Sequence, residues 1–274
     1  MKNSSKPYNI RLMKIYLSLV LFLICFSASS QETLIYNSKN LAKPDTTWVF
    51  TPDNYQQKEK LPVLFLLHGY SGNYKQWHGI MDAKKYANDY GFIIVCPDGL
   101  FSSWYLNSPV KKDMQFESFF ISELIPDIKK KYKVDDTNMF ISGLSMGGHG
   151  ALYLYIKNQN LFKSAGSTSG GVQLSDGFGK FGLGEVLGNP PAESELWQKY
   201  SVMTLIEQMK DNKRPFIFDC GADDFFYDSN NKLKRKIDEL KLNATYISQP
   251  GAHNRAYWTK SIKQHFEFFK ALTK

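Results

Sequence analysis

One serine in this 274-residue chain stands in a setting suited to covalent chemistry. Residues 143–147 read Gly-Leu-Ser-Met-Gly, between an apolar run that ends at 142 and a helix-like run that begins at 151. Glycines on both sides of Ser145 permit a tight strand-to-helix turn, which lifts the hydroxyl clear of a sheet. The turn also leaves the Met146 amide at a helix start, where it can face an oxyanion. The motif therefore predicts Ser145 as a nucleophile and the Met146 amide as an oxyanion donor.

Such a serine needs a general base and an acid that orients the base. In sheets built from alternating strands and helices, functional residues collect at the carboxyl ends of the strands. His253 follows the last predicted strand and Asp224 follows the one before it. The order Ser145, Asp224, His253 is that of the α/β-hydrolase fold and differs from that of chymotrypsin or subtilisin. Asp224 is preferred as the acid, and the competing residues are Asp219, Asp223 and Asp228.

Two further loops carry candidate site residues. His68 and Gly69 open the loop after the third predicted strand, where the Tyr70 amide is the candidate for a second oxyanion donor. His68 is expected to support this loop rather than act as a base, and it is also a candidate substrate contact. Trp104 and Tyr105 either stack on a sugar or phenolic acyl group or merely pack their loop, and the sequence leaves both readings open. The remaining histidines of the domain are expected to be structural: His78, His149 and His265.

The elements that must position these residues alternate along the chain. Strand-like runs occupy 33–37, 46–51, 62–67, 92–96, 139–142, 162–168, 216–220 and 245–248. Helix-like runs occupy 80–90, 116–132, 151–158, 231–240 and 258–272. This alternation predicts an α/β fold with a mostly parallel, eight-stranded sheet and helices on both faces.

The first thirty residues predict a signal peptide. Four basic residues and no acid accompany an apolar run at 15–26, and small residues at 28–30 precede Gln31. About a dozen apolar residues fall short of the roughly twenty that span a bilayer. We therefore expect cleavage, export to the periplasm or the extracellular space, no stable membrane insertion afterwards, and one domain over residues 31–274.

The net charge and the positions of the cysteines argue against some classes of function. Cleavage of residues 1–30 would remove four of the 34 basic residues and none of the 26 acids, which lowers the formal net charge from +8 to +4. No cluster of Lys and Arg interleaved with aromatics occurs, so we expect no nucleic-acid partner. Cys96 and Cys220 lie in apolar, strand-like runs without metal-ligand spacing, which favours buried free thiols. We expect neither a metal nor an organic cofactor, and the oligomeric state stays open.

These residues together resemble the Putative esterase family of α/β-hydrolases. The family groups tributyrin esterases, S-formylglutathione hydrolases, feruloyl and acetyl-xylan esterases, and mycolyltransferases. The resemblance rests on residues 68–69, 143–148, 220–224 and 250–253, and it extends over about residues 32–272. It implies these roles: Ser145 nucleophile, Asp224 acid, His253 base, and the Tyr70 and Met146 amides as oxyanion donors.

The expected function is that of an exported serine esterase. Its substrates would be short-chain acyl esters, or acetyl and feruloyl esters on plant polysaccharides. The alternatives are an acyltransferase of the mycolyltransferase type and a non-catalytic carbohydrate-binding protein on the same fold. A complete serine, acid and histidine set argues against the binding protein, which has no need of a strained turn. The resemblance also implies that the Cys96 and Cys220 strands lie four positions apart, roughly 19 Å, too far for a disulfide.

Overall fold

A computed structural model describes residues 31–189 and 194–273. The predicted signal peptide lies outside these residues. The strands are β1 Gln31–Tyr36, β2 Asp45–Phe50, β3 Leu61–Leu67, β4 Ile93–Pro97, β5 Val134–Leu144, β6 Ser164–Thr168, β7 Phe216–Gly221 and β8 Ala244–Gln249. Each of the eight predicted strands is therefore confirmed, with small differences at the ends.

The longer helices cover the sheet and the shorter ones lie in its loops. They are α1 Gln76–Ile80, α2 Ala83–Tyr90, α3 Phe116–Phe119, α4 Ile125–Lys131, α5 Met146–Lys157, α6 Leu183–Leu187, α7 Glu195–Tyr200, α8 Val202–Leu205, α9 Tyr227–Glu239 and α10 Arg255–Leu272. A π turn at Phe120–Leu124 joins α3 to α4, so the predicted helix over 116–132 is continuous. The short helices α1, α6, α7 and α8 were not predicted.

The eight strands form one sheet in the order β1-β2-β4-β3-β5-β6-β7-β8. β2 pairs antiparallel with both β1 and β4, and all other neighbours are parallel. This is the mostly parallel sheet of an α/β-hydrolase, as predicted. The parallel strands β3 to β8 therefore all deliver their carboxyl ends, and the loops that follow them, to the same edge of the sheet.

The sheet separates two hydrophobic cores. Along β3, Val63, Phe65 and Leu67 belong to one buried cluster, whereas Leu64 and Leu66 belong to another. Successive side chains of a strand point to opposite faces, so each cluster lies on one face of the sheet. Because β3 is covered on both faces, it is apolar throughout and holds the centre of the sheet rigidly.

The strand order fixes the distance between the two cysteines of the domain. Cys96 lies on β4 and Cys220 on β7, four positions apart in the sheet. Both thiols are buried and free. Burial raises the pKa of each thiol above its usual value. The predicted separation of their strands is thus confirmed.

Two features that would indicate other functions are absent from residues 31–189 and 194–273. No helix in that part of the chain is long and apolar enough to cross a bilayer. No group of three or more His, Cys, Asp or Glu side chains there has the arrangement of a metal site.

Candidate active site

The serine stands on a sharp turn between β5 and α5. Ser145 is the single residue between these elements, and its φ of 54° is unusual for a residue with a side chain. A Cβ on Gly143 would collide with the carbonyl of Gly147, and a Cβ on Gly147 would collide with the carbonyl of Leu67. Only glycine fits at both positions, so the turn predicted from the sequence is as tight as its spacing suggested.

His253 bridges the serine and an aspartate. Its Nε2 lies 2.9 Å from Ser145 Oγ, and its Nδ1 lies 2.9 Å from Asp224 Oδ2 and 3.0 Å from Oδ1. His253 is on the loop between β8 and α10, and Asp224 is on the loop between β7 and α9. The structure therefore brings together the three side chains that the sequence nominated from distant positions.

Burial separates the two adjacent carboxylates. The Asp224 side chain is 0% exposed, whereas Asp223 is an exposed residue. Asp224 Oδ1 also accepts a 2.9 Å hydrogen bond from the Phe226 amide, which fixes the carboxylate beneath the imidazole. Asp223 meets the histidine loop only through its backbone amide, which donates to the Gly251 carbonyl. Asp224 is thus the carboxylate placed to orient His253.

The loop after β3 runs alongside the serine. Leu67 at the end of β3 pairs with Gly143 on β5, and a Cβ on Gly69 would lie 3.4 Å from the Ser145 Cβ. Neighbouring amides of the loop are already engaged: Gly69 donates to Gln76 Oε1, and Ser71 donates to the Phe101 carbonyl.

The two nominated amides belong to the loop after β3 and to the start of α5. In sequence, the Tyr70 amide lies between the two engaged amides of the loop after β3. Met146 is the first residue of α5, so its amide has no acceptor within the helix. These placements suit two donors that converge on an oxyanion.

His68 is a support for this loop and not a substrate contact. The residue is 1% exposed, and both ring nitrogens are used inside the protein. Nδ1 lies 2.7 Å from the Gly69 carbonyl, and Nε2 accepts a 2.7 Å hydrogen bond from the Gly99 amide. The expectation that His68 supports the loop is confirmed, and the alternative role as a substrate contact is wrong because the ring is buried with both nitrogens bonded.

Of the two interpretations left open for Trp104 and Tyr105, burial supports packing within their loop, and the role as substrate contacts is corrected. They are 1% and 0% exposed. Trp104 Nε1 donates to the Phe181 carbonyl at 3.0 Å, and the Tyr105 hydroxyl donates to the His68 carbonyl at 2.8 Å. Their loop folds inward because both residues adopt positive φ angles, 51° and 63°. Through these hydrogen bonds, the two side chains support the loop after β3 and the loop that carries Phe181.

Four other aromatic side chains form a group that reaches His253. Phe101, Tyr70, Phe181 and Phe225 form a chain of ring contacts, which we call the aromatic rim, with successive centroids 5.0, 5.8 and 6.0 Å apart. Phe225 also lies 4.2 Å from the His253 ring. For Phe225, the signal in the sequence is its position directly after Asp224.

The other histidines are structural, as expected. His149 is buried with its nitrogens on the carbonyls of Trp104 and Tyr200, and burial lowers its pKa to about 4. His78 stacks on Phe50 at 5.4 Å.

A second buried polar network contains the last histidine. His265 Nδ1 lies 2.8 Å from Ser142 Oγ, and its Nε2 lies 2.7 Å from Asp219 Oδ2. Asp219 also accepts hydrogen bonds from Thr168 and Ser261. The network therefore links β5, β6 and β7 to α10, the helix that begins just after His253.

Comparison with known proteins identifies the family to which the chain belongs. The family model described as "Putative esterase" matches residues 38–269. The chain is 25% identical to an acetyl esterase of Caldicellulosiruptor saccharolyticus, over 81% of this chain and 90% of that protein. It is also 25% identical to an S-formylglutathione hydrolase of Arabidopsis thaliana, over 83% of this chain and 88% of that protein.

A solved structure agrees in fold. FphF, a fluorophosphonate-binding serine hydrolase of Staphylococcus aureus, superposes with a TM-score of 0.78 at 20% identity, covering 88% of this chain and 98% of that chain. A match at this identity supports the fold alone, whereas the family model spans most of the domain. The chain therefore belongs to the Putative esterase family of α/β-hydrolases and is a carboxylic ester hydrolase.

Proposed function

We propose that this protein is an exported serine esterase that hydrolyses short-chain acyl esters, or acetyl and feruloyl esters on polysaccharides. The observation that carries the proposal is the pair of contacts made by His253, to Ser145 Oγ on one side and to the buried Asp224 carboxylate on the other. Similarity to an acetyl esterase supports the short acyl group.

The geometry supports an acyl-enzyme mechanism. Asp224 holds Nδ1 of His253 as the protonated nitrogen, which leaves Nε2 free to accept the Ser145 proton. The serine oxygen then attacks the ester carbonyl carbon, and the amides of Tyr70 and Met146 stabilise the oxyanion. His253 passes the proton to the departing alcohol, so an ester links the acyl group to Ser145.

Water completes the cycle. His253 Nε2 accepts a proton from water as its oxygen attacks the acyl-enzyme carbonyl, and the collapse of the second oxyanion returns the proton to Ser145 Oγ. The acid is released and the enzyme is regenerated. An alcohol in place of water would give acyl transfer by the same route.

Export is proposed from the sequence of the first thirty residues, with their basic start, apolar run and small residues before Gln31. Expression of the full chain with its leader, followed by fractionation and N-terminal sequencing, tests this part. A mature protein that begins near Gln31 outside the cytoplasm is the expected result. Retention of the intact leader in the cytoplasmic fraction would contradict it.

The catalytic proposal is tested with a panel of esters and matched variants. Acid release is measured on ethyl acetate, longer acyl esters, methyl ferulate and acetylated xylan. Ser145→Ala should lower the rate by about 10³-fold or more on every ester that the wild type hydrolyses. Ser122→Ala, an exposed serine on the helix surface, is the control and should keep the wild-type rate. Equal rates for Ser145→Ala and wild type, or a wild type inactive on every ester, would refute the proposal.

A further inference from the structure

The aromatic rim is an exposed apolar feature that folding alone does not account for. Phe225 is 60% exposed and Phe101 is 58% exposed, although both are large and apolar. Their rings are connected through Tyr70 and Phe181 into one continuous surface. Contiguous apolar surface beside a reactive group is typical of a ligand-binding site.

The rim is held in place by buried groups. The Phe181 backbone carbonyl accepts the hydrogen bond from Trp104 Nε1, and the Phe181 and Phe225 rings stack within 12° of parallel. Phe225 also packs edge-on against Phe226, which is 2% exposed. The rings of Phe181 and Phe225 therefore present a fixed surface at little entropic cost to a ligand.

The contact between Phe225 and His253 indicates which part of the ester lies against the rim, the alcohol or the acyl group. His253 Nε2 must deliver its proton to the departing alcohol oxygen, so that alcohol passes beside the imidazole. Phe225 lies against this same imidazole, with ring centroids 4.2 Å apart. The alcohol part of the ester, rather than its acyl part, is therefore the part that reaches Phe225.

A cavity next to the rim supplies polar groups. It is an open cavity of about 550 Å³, and its lining includes Tyr70 and Phe181 together with Lys180, Glu185 and Asn189. A sugar ring has an apolar C–H face and an edge of hydroxyls, so it matches an aromatic face flanked by charged and amide groups. A long alkyl chain could not form a hydrogen bond with any of these groups.

We propose that Phe181 and Phe225 form a subsite that binds a sugar ring on the alcohol side of the substrate ester. The inference rests on the proposed esterase activity. The two phenylalanines act as specificity-determining residues, and the chemistry itself stays with Ser145, His253 and Asp224.

The test compares two acetyl esters that differ in their alcohol: ethyl acetate and a mono-acetylated methyl β-xyloside. The measured quantity is the ratio of kcat/KM for the xyloside to kcat/KM for ethyl acetate, from titration of the released acid. Phe225→Ala should lower this ratio about three- to tenfold, the value of one lost ring stack. Phe181→Ala should lower it similarly, and Phe225→Tyr should restore it.

Phe178→Ala is the matched control. Phe178 is an exposed phenylalanine, 48% exposed, whose ring contacts Trp197 and not the rim. Its substitution should leave the ratio unchanged. An unchanged ratio in Phe225→Ala, with a wild type active on ethyl acetate, would overturn this inference and leave the esterase proposal standing.

Two other outcomes would also overturn it. If Phe225→Ala weakens turnover of phenyl acetate but not of the xyloside, the subsite binds aromatic alcohols and not sugars. If the wild type hydrolyses neither acetyl ester and no other ester of the wider panel, the esterase proposal fails, and this inference fails with it.

Discussion

His265 Nε2 lies 2.7 Å from Asp219 Oδ2, and both side chains are fully buried. With Ser142 on the other ring nitrogen, they make a second serine, aspartate and histidine set in the same chain order as Ser145, Asp224 and His253. Chain order alone does not distinguish the two sets. Ser142 is 0% exposed within β5, so only Ser145 can meet a substrate.

This difference predicts the outcome of active-site labelling. A fluorophosphonate probe should label wild type and Ser142→Ala, because the reactive hydroxyl is on Ser145 in both. Ser145→Ala should show no labelling above background in gel fluorescence. Circular dichroism confirms that each variant is folded. Labelling that persists in Ser145→Ala, or that vanishes in folded Ser142→Ala, would contradict the assignment of Ser145 as the nucleophile.

Adjacent carboxylates give a second prediction. Asp224→Asn should lower kcat on ethyl acetate by about 10³- to 10⁴-fold, because the amide no longer holds His253 in the tautomer that accepts the serine proton. Asp223→Asn removes an exposed carboxylate and should change kcat less than about twofold. The reverse ranking would move the acid to Asp223.

A buried carboxyl group predicts how stability depends on pH. Asp45 is 0% exposed at the start of β2, with one oxygen bonded to Thr47 and the other without a partner among the described residues. Burial raises the pKa of Asp45 to about 8. In the unfolded chain its pKa is about 4. The folded protein therefore holds a proton that the unfolded chain releases between these values.

The contribution of this proton to stability is fully present below about pH 4 and is lost as the pH rises through 8. The slope from this one group reaches at most about 1.4 kcal/mol per pH unit. Asp45→Asn should flatten the decline of the unfolding free energy between pH 5 and 9, measured by urea denaturation at each pH. Parallel curves for variant and wild type would show that Asp45 is ionised in the folded protein.

The two thiols predict insensitivity to reduction. Alkylation of the chain from residue 31 onwards, under denaturing and non-reducing conditions, should add two labels by intact mass, because Cys96 and Cys220 lie four strands apart. Reducing agent should leave activity and Tm unchanged. A mass without added labels would require a disulfide that this strand order forbids.

Much of the fold was predictable because its signals are local. The run over 62–67 is apolar at every position since both faces of β3 are covered, and the glycines at 143 and 147 mark a turn in which those two positions admit no side chain. β5 begins earlier than predicted, at Val134, because the polar and partly exposed residues 135–137 hide the strand in the sequence yet are still extended.

Side-chain direction in loops was the part that sequence could not supply. Trp104 and Tyr105 follow a strand, as substrate contacts do, but positive φ angles turn them inward. Phe225 and Phe226 are identical in type, and only the turn after β7 decides that the first is exposed and the second buried. These directions depend on contacts with distant loops, which local patterns do not encode.

In the loop after β7, the neighbouring residues Phe225 and Phe226 have different roles. The Phe226 backbone amide, not its side chain, bonds Asp224, while the Phe225 side chain points outward. The residue at 225 can therefore vary without loss of the hydrogen bond that secures the acid. Substitutions at position 225 should therefore change the alcohol preference while the hydrogen bond that secures Asp224 is retained.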